Sequence, residues 1–232
     1  MNPSANRNKR ATELVAALGE LGRRPLPTLL ALVVFALPGG LYAAFAGNEH
    51  FVSWSDDHQA LSALVFSVWT FVWAFGFVLS TGLLSRAVGS AFLPLPVRFW
   101  QVNWKSLTAL AGMLAVSLSV AILASWLAAK FAPALTLILL LAGLVLPGRI
   151  VVIPALIELR SLSAWDAVRK SGEFVTGADY ALPVGGVVVI AIATSPLAGS
   201  IAGYFAATML FAAMFVVIAA KAAVRVARQT RG

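Results

Sequence analysis

The chain contains no cysteine, which removes disulfides, thiolate metal sites and a cysteine nucleophile from consideration. Histidine is nearly as scarce. His50 and His58 are the only two, both in one polar stretch, so no apolar run carries the usual ligand for a haem held between membrane helices. Those histidines share their stretch with Glu49, Asp56 and Asp57, but the spacing matches no recognised metal site, and a solvated acidic loop is expected. No phosphate-binding glycine loop, catalytic triad, pair of catalytic carboxylates or zinc-protease motif is present. The chain is accordingly read as non-enzymatic, with no cofactor and no metal centre. Charge is sparse too, at 11% of residues, and acidic residues are the rarer sign, 9 against 17 lysines and arginines.

What fills the sequence instead is apolar. Hydrophobic residues make up 60% of its 232 positions and the mean hydropathy is +0.91, where soluble domains hold roughly half apolar residues. A bilayer core about 30 Å thick needs roughly 20 apolar residues in a helix. By that measure an all-α integral membrane protein with six transmembrane helices is expected, at residues 25–46, 60–84, 106–129, 134–159, 181–195 and 199–224. The last two divide at "TSPLAGS", residues 194–200, because the uncharged run is too long for one span and Pro196 cannot continue a helix cleanly. Residues 42–47, "YAAFAG", offer a signal-cleavage pattern, yet the apolar run before them exceeds a typical signal core and follows a polar segment, so it reads as a span.

The formal charge of +8 would suit nucleic acid on a soluble surface, but the basic residues sit at the ends of the apolar runs, where they orient helices in a bilayer. No nucleic-acid partner is expected. With the N-terminus cytoplasmic, that side receives Arg7, Lys9, Arg10, Arg23 and Arg24, then Arg86, Arg98 and Lys105, then Arg160, Arg169 and Lys170, and last Lys221, Arg225, Arg228 and Arg231. Only Lys130 falls on the other side. The positive-inside rule thus places both termini in the cytoplasm, consistent with an even number of spans. Residues 1–24 form a cytoplasmic segment, 25–224 the membrane domain and 225–232 a basic tail.

Arg149 breaks this pattern by lying within the fourth span, about 15 Å from its inner end at about 1.5 Å per residue. Placing arginine there costs about 2.5 to 3.5 kcal/mol on insertion scales. The adjacent "LPG" at 146–148 and Pro154 point to a kinked helix with carbonyls free to accept from the guanidinium. Three roles suit it: a clamp onto backbone or lipid, recognition of a phosphate-like headgroup, or a lining residue of a transport path. No acidic residue lies deep in any span to pair with it.

After the fourth span a cytoplasmic amphipathic helix is expected. Ser163 is its N-cap and Asp166 the capping-box partner. Trp165, Val168 and Val175 form its apolar stripe, the pairs Asp166–Lys170 and Arg169–Glu173 have the supportive spacing, and Gly177 ends it. Such a stripe rests on the inner membrane surface or on the bundle. Trp100 and Trp104 read as anchors along the inner interface. Phe66, Trp69, Trp73 and Phe77 share one face of the second span and are expected to pack against a neighbouring helix. "GSIAG" at 199–203 provides small residues for close helix contact.

The stretch "PALIELRSLSAWDAVRKSGEFVTG", with Glu158 closing an apolar helix and Ala167 to Gly177 following, resembles the signature of YciC-like bacterial inner-membrane proteins and of the membrane domain attached to some glycerophosphodiester phosphodiesterases. Gly172 stands where that group carries a bulky residue. The resemblance is tight over about thirty residues and loose over the spans. It implies a six-helix inner-membrane module, and phosphodiesterase activity does not carry over without a catalytic domain.

The sequence therefore reads as a multi-pass module of the bacterial inner membrane that contacts lipids, a partner membrane protein or its own copies. Arg149, Arg169 and Lys170 are the candidate headgroup ligands. A small transporter or channel using Arg149 is the alternative.

Overall fold

A computed structural model of the chain describes residues 3–46, 59–93, 101–131, 149–175, 185–186, 188–190, 192–197 and 200–230. The described residues are helical throughout, with no strand among them. In chain order they form α1 (Pro3–Arg23), α2 (Pro25–Ala46), α3 (Gln59–Gly89), α4 (Trp104–Phe131), α5 (Val152–Arg160), α6 (Ala164–Phe174) and α7 (Ile201–Gln229). α7 is the central element and packs on α1, α2, α3 and α5, while α3 bridges α2, α4 and α5.

Helix ends follow local chemistry. Arg24 alone separates α1 from α2, and the Thr28 hydroxyl donates back to the carbonyls of Leu21 (3.2 Å) and Arg24 (2.7 Å), closing the joint. Pro154 lies in the first turn of α5, three residues after a break at Val151. The ring lacks the N–H that would bond the Ile150 carbonyl, so the expected kink occurs there. α5 ends at Ser161, whose φ of 52° puts a non-glycine residue in the left-handed region. Ser163 then caps α6, accepting from the Asp166 N–H at 3.2 Å while its hydroxyl donates to the Asp166 carboxylate at 2.6 Å. Ser195–Leu197 form a 3₁₀ turn and Ser200 caps α7 by accepting from the Gly203 N–H at 3.0 Å, so the chain turns where "TSPLAGS" predicted.

The expected aromatic packing is seen in part. Trp73 and Phe77 on α3 meet at 5.3 Å between centroids, Phe77 meets Phe35 of α2 at 4.9 Å, and Phe35 meets Phe215 of α7 at 6.0 Å, while the Phe66 side chain lies outside those described. Glycines allow the closest helix approaches. A Cβ at Gly82 would stand 2.9 Å from a Leu107 methyl of α4, and one at Gly89 would overlap the Leu159 side chain of α5.

Two stretches among the described residues are long and apolar enough to cross a membrane, Phe71–Phe92, which runs through α3 into the 3₁₀ turn Ser90–Phe92, and Phe205–Gln229 in α7. Six were expected. The first and third fall in α2 and α4, whose described apolar stretches Pro25–Leu37 and Trp104–Val120 are shorter. The fourth and fifth lie partly outside the described residues, as do the loop bearing His50 and His58 and the expected stop at Gly177.

Two segments carry more structure than the sequence reading gave them. Residues 3–23, within the expected N-terminal segment, form a helix with Glu13, Ala17, Glu20 and Leu21 buried. Residues 225–229, expected as tail, continue α7, and Arg225 and Val226 are buried in it. In both segments a charged residue that looks solvated in isolation acquires a partner from an element far away in the chain.

Candidate polar site at one end of the bundle

The polar residues that the bundle buries gather where α1, α3, α5, α6 and α7 meet. α3 contributes Ser80, Thr81, Ser85 and Arg86, and α7 contributes Lys221 and Arg225 one turn apart. Glu158 comes from the last turn of α5, Ser171 from α6, and Glu13 and Glu20 from α1.

Two buried ion pairs organise this layer. Arg86 donates to Glu158, whose side chain is fully enclosed, and the other carboxylate oxygen accepts from the Asn103 N–H at 3.0 Å, just before α4. One carboxylate therefore ties together α3, α5 and the start of α4. The second pair joins chain positions more than two hundred residues apart. Arg225 donates through Nε and one terminal nitrogen to Glu13, each at 3.1 Å, and through its other terminal nitrogen to the Phe174 carbonyl at 2.9 Å. Burying such charges is costly unless they are paired and their remaining hydrogen-bonding positions are filled. Here both acids meet arginines, whose planar forks carry several donors at once.

The C-terminal end of α6 is ringed by arginines. Besides Arg225 on its last carbonyl, Arg160 lies 4.7 Å over the Phe174 ring, and the Arg149 guanidinium sits against Gly172, where an added Cβ would stand 3.5 Å from it. Cations there complement the negative end of the helix dipole. Glycine at 172 keeps the seat open for Arg149, and a bulky residue at this position would occupy it.

Of the residues singled out from sequence, Arg149, Arg169 and Lys170 are all exposed, the last two on the outer side of α6. Arg149 lies against Gly172 of α6, three residues from Arg169 and so on the same side of that helix, and all three cations are open to the surface. The face of α6 turned to the bundle is Ala164, Ala167, Ser171 and Phe174. Of the two places expected for the stripe of Trp165, Val168 and Val175, the bundle is taken by that other face. Trp165 is 60% exposed, and Val168 and Val175 are only half-buried. Ala164, Ala167 and Ser171 keep most of the inward face small, and Phe174 closes its C-terminal end. Trp104 is also exposed, at 53%.

Sequence reasoning missed Glu13, Arg86 and Arg225 as site residues. Arg86 and Arg225 read as interfacial charges, and Glu13 sat in a segment read as polar. The available signal was the spacing of Glu13, Ala17, Glu20 and Leu21, which places them on one side of a helix. Among the described residues no group of histidine and acidic side chains is placed to hold a metal ion.

An open groove with a volume of about 570 Å³ lies beside the layer, lined by Arg160, Ser161, Leu162, Gln229 and Thr230. In it the Arg160 Nε donates to the Thr230 hydroxyl at 3.1 Å. No protein-family model, curated protein or solved structure matches the chain.

Proposed function

We propose that the chain is a non-enzymatic, multi-pass module of a bacterial inner membrane, with six spans and both termini cytoplasmic, that binds anionic lipid headgroups at its basic end. Kinship with YciC-like inner-membrane proteins belongs to this reading and rests on the stretch from Pro154 to Gly177.

The observation that carries it is the sorting of surfaces. Large apolar side chains point outward on several helices: Leu29 and Val33 on α2, Val68 and Phe71 on α3, Val116 and Val120 on α4, Phe205 and Leu210 on α7. Ionic side chains are buried at one end. A contiguous exposed apolar surface needs a cover, and a bilayer covers a bundle on all sides at once. At the basic end Arg149, Arg169 and Lys170 remain exposed beside exposed Trp104 and Trp165, the combination of cations and amphipathic rings that suits a headgroup layer.

The test is native mass spectrometry of delipidated full-length protein titrated with phosphatidylglycerol, comparing wild type with Arg149→Gln/Arg169→Gln/Lys170→Gln. Each basic residue near an anionic surface contributes about 1 kcal/mol, so the triple variant should bind on the order of a hundredfold more weakly. Equal binding by the two proteins would sink the headgroup reading and send the inquiry to ion or solute flux.

A further inference from the structure

α1 carries three different surfaces along one helix. At about 100° per residue, Glu13, Ala17, Glu20 and Leu21 fall on one arc, and all four are buried. Leu14, Val15 and Leu18 fall on the next arc and are 38%, 69% and 49% exposed. Thr12, Gly19 and Arg23 occupy the remaining arc and are exposed. A helix on a soluble surface needs only an inward and a wet face; the exposed leucines and valine are left over.

Charge is sorted along the same lines. The Glu13 carboxylate is turned inward onto Arg225, and Glu20 is buried with its carboxylate 3.0 Å from Arg23. With both glutamates satisfied, the solvent side at the α1–α2 joint is left to Arg23 and Arg24, both exposed. Another apolar surface begins close by in the chain. α2 begins one residue after Arg24 and immediately exposes Leu26 (72%), Leu29 (58%) and Val33 (56%).

From this geometry we infer that α1 is an interfacial helix, docked on the bundle through Glu13–Arg225 and resting its Leu14–Val15–Leu18 face in an anionic lipid leaflet. The inference rests on the membrane reading above and adds an in-plane element to it. The occupant is lipid because α1 leads through one residue into α2, whose exposed apolar side chains are proposed to face the bilayer, and the leaflet is anionic because the exposed side chains at the joint are arginines. An amphipathic helix of this kind buries its apolar face about 5 to 10 Å into the boundary between headgroups and acyl chains.

The absence of native cysteine makes the test direct. Single cysteines at Val15, Leu18, Gly19 and Val33 of the full-length chain, each exposed or in open space, are nitroxide-labelled and placed in phosphatidylglycerol/phosphatidylcholine vesicles. Accessibility to oxygen and to a water-soluble nickel chelate is then measured. Labels at Val15→Cys and Leu18→Cys should be several-fold richer in oxygen contact and poorer in nickel contact than the label at Gly19→Cys, with Val33→Cys deeper still. If Val33→Cys is lipid-embedded while Val15→Cys and Leu18→Cys match Gly19→Cys, the inference about α1 fails and the membrane reading survives. A nickel-accessible label at Val33→Cys overturns both. Unchanged depth in vesicles of phosphatidylcholine alone would overturn the assignment to an anionic leaflet.

Discussion

Removing the Glu158 carboxylate takes from Arg86 its buried counter-charge, and the size of the penalty follows from the geometry. The Glu158 side chain is fully enclosed and that of Arg86 is 8% exposed. Loss of one partner from a buried pair costs about 3 to 5 kcal/mol, because the remaining charge keeps its desolvation penalty without its counter-charge. Glu158→Leu also orphans the Asn103 N–H, which adds about 1 to 3 kcal/mol where water cannot reach it. Replacing both ions is different. Arg86→Met with Glu158→Leu leaves no orphaned charge, and such apolar exchanges are often neutral or stabilising. Thermal unfolding in detergent should therefore show a drop of about 10 to 30 °C for Glu158→Leu, taking about 2 to 4 °C per kcal/mol for a chain of this size. The double variant should recover most of that drop. A double variant as unstable as the single one would refute the argument, since it would mean that the lost packing, and not the stranded charge, sets the cost.

Two further substitutions probe how the helices meet. Gly89→Ala forces a methyl into the space of the Leu159 side chain, and overpacking of this kind costs about 1 to 3 kcal/mol; a melting temperature equal to wild type would show that α5 can shift away freely. Ser163→Ala removes the N-cap acceptor of α6, a loss of about 1 kcal/mol, and amide exchange in residues 164–167 should quicken while that in α7 stays unchanged. Equal acceleration in α7 would mean that the cap supports the whole bundle and not one helix.

The fold was legible where a residue's neighbours in sequence decide its state. α2 begins and ends at the boundaries expected for the first span because Pro25–Ala46 is one unbroken apolar run. Ser163 and Asp166 lie three apart, the reach of a cap, so the start of α6 could be placed without knowing what it packs on. Which face of α6 turns to the bundle could not. Trp165 and Ala167 both suit a buried face by composition, and only the packing of the helices put the alanine inside. Likewise nothing local marks Glu13 as buried, because its burial depends on Arg225, and that pairing forms only when the first and last helices lie side by side.

The sequence by itself determined that this chain is helical and apolar, where several of its helices begin and end, and where its cations concentrate, since propensity, capping and charge act over a few residues. The tertiary structure decided which charges are stranded from water and which remain at the rim. It buried Glu158 on Arg86 and Glu13 on Arg225, docked the helix of residues 3–23 on the bundle, and left Arg149 against Gly172. The physical reason is distance. A hydrogen bond to a cap spans one turn of helix, whereas desolvation and ion pairing depend on whichever elements packing brings together, however far apart they lie in the chain.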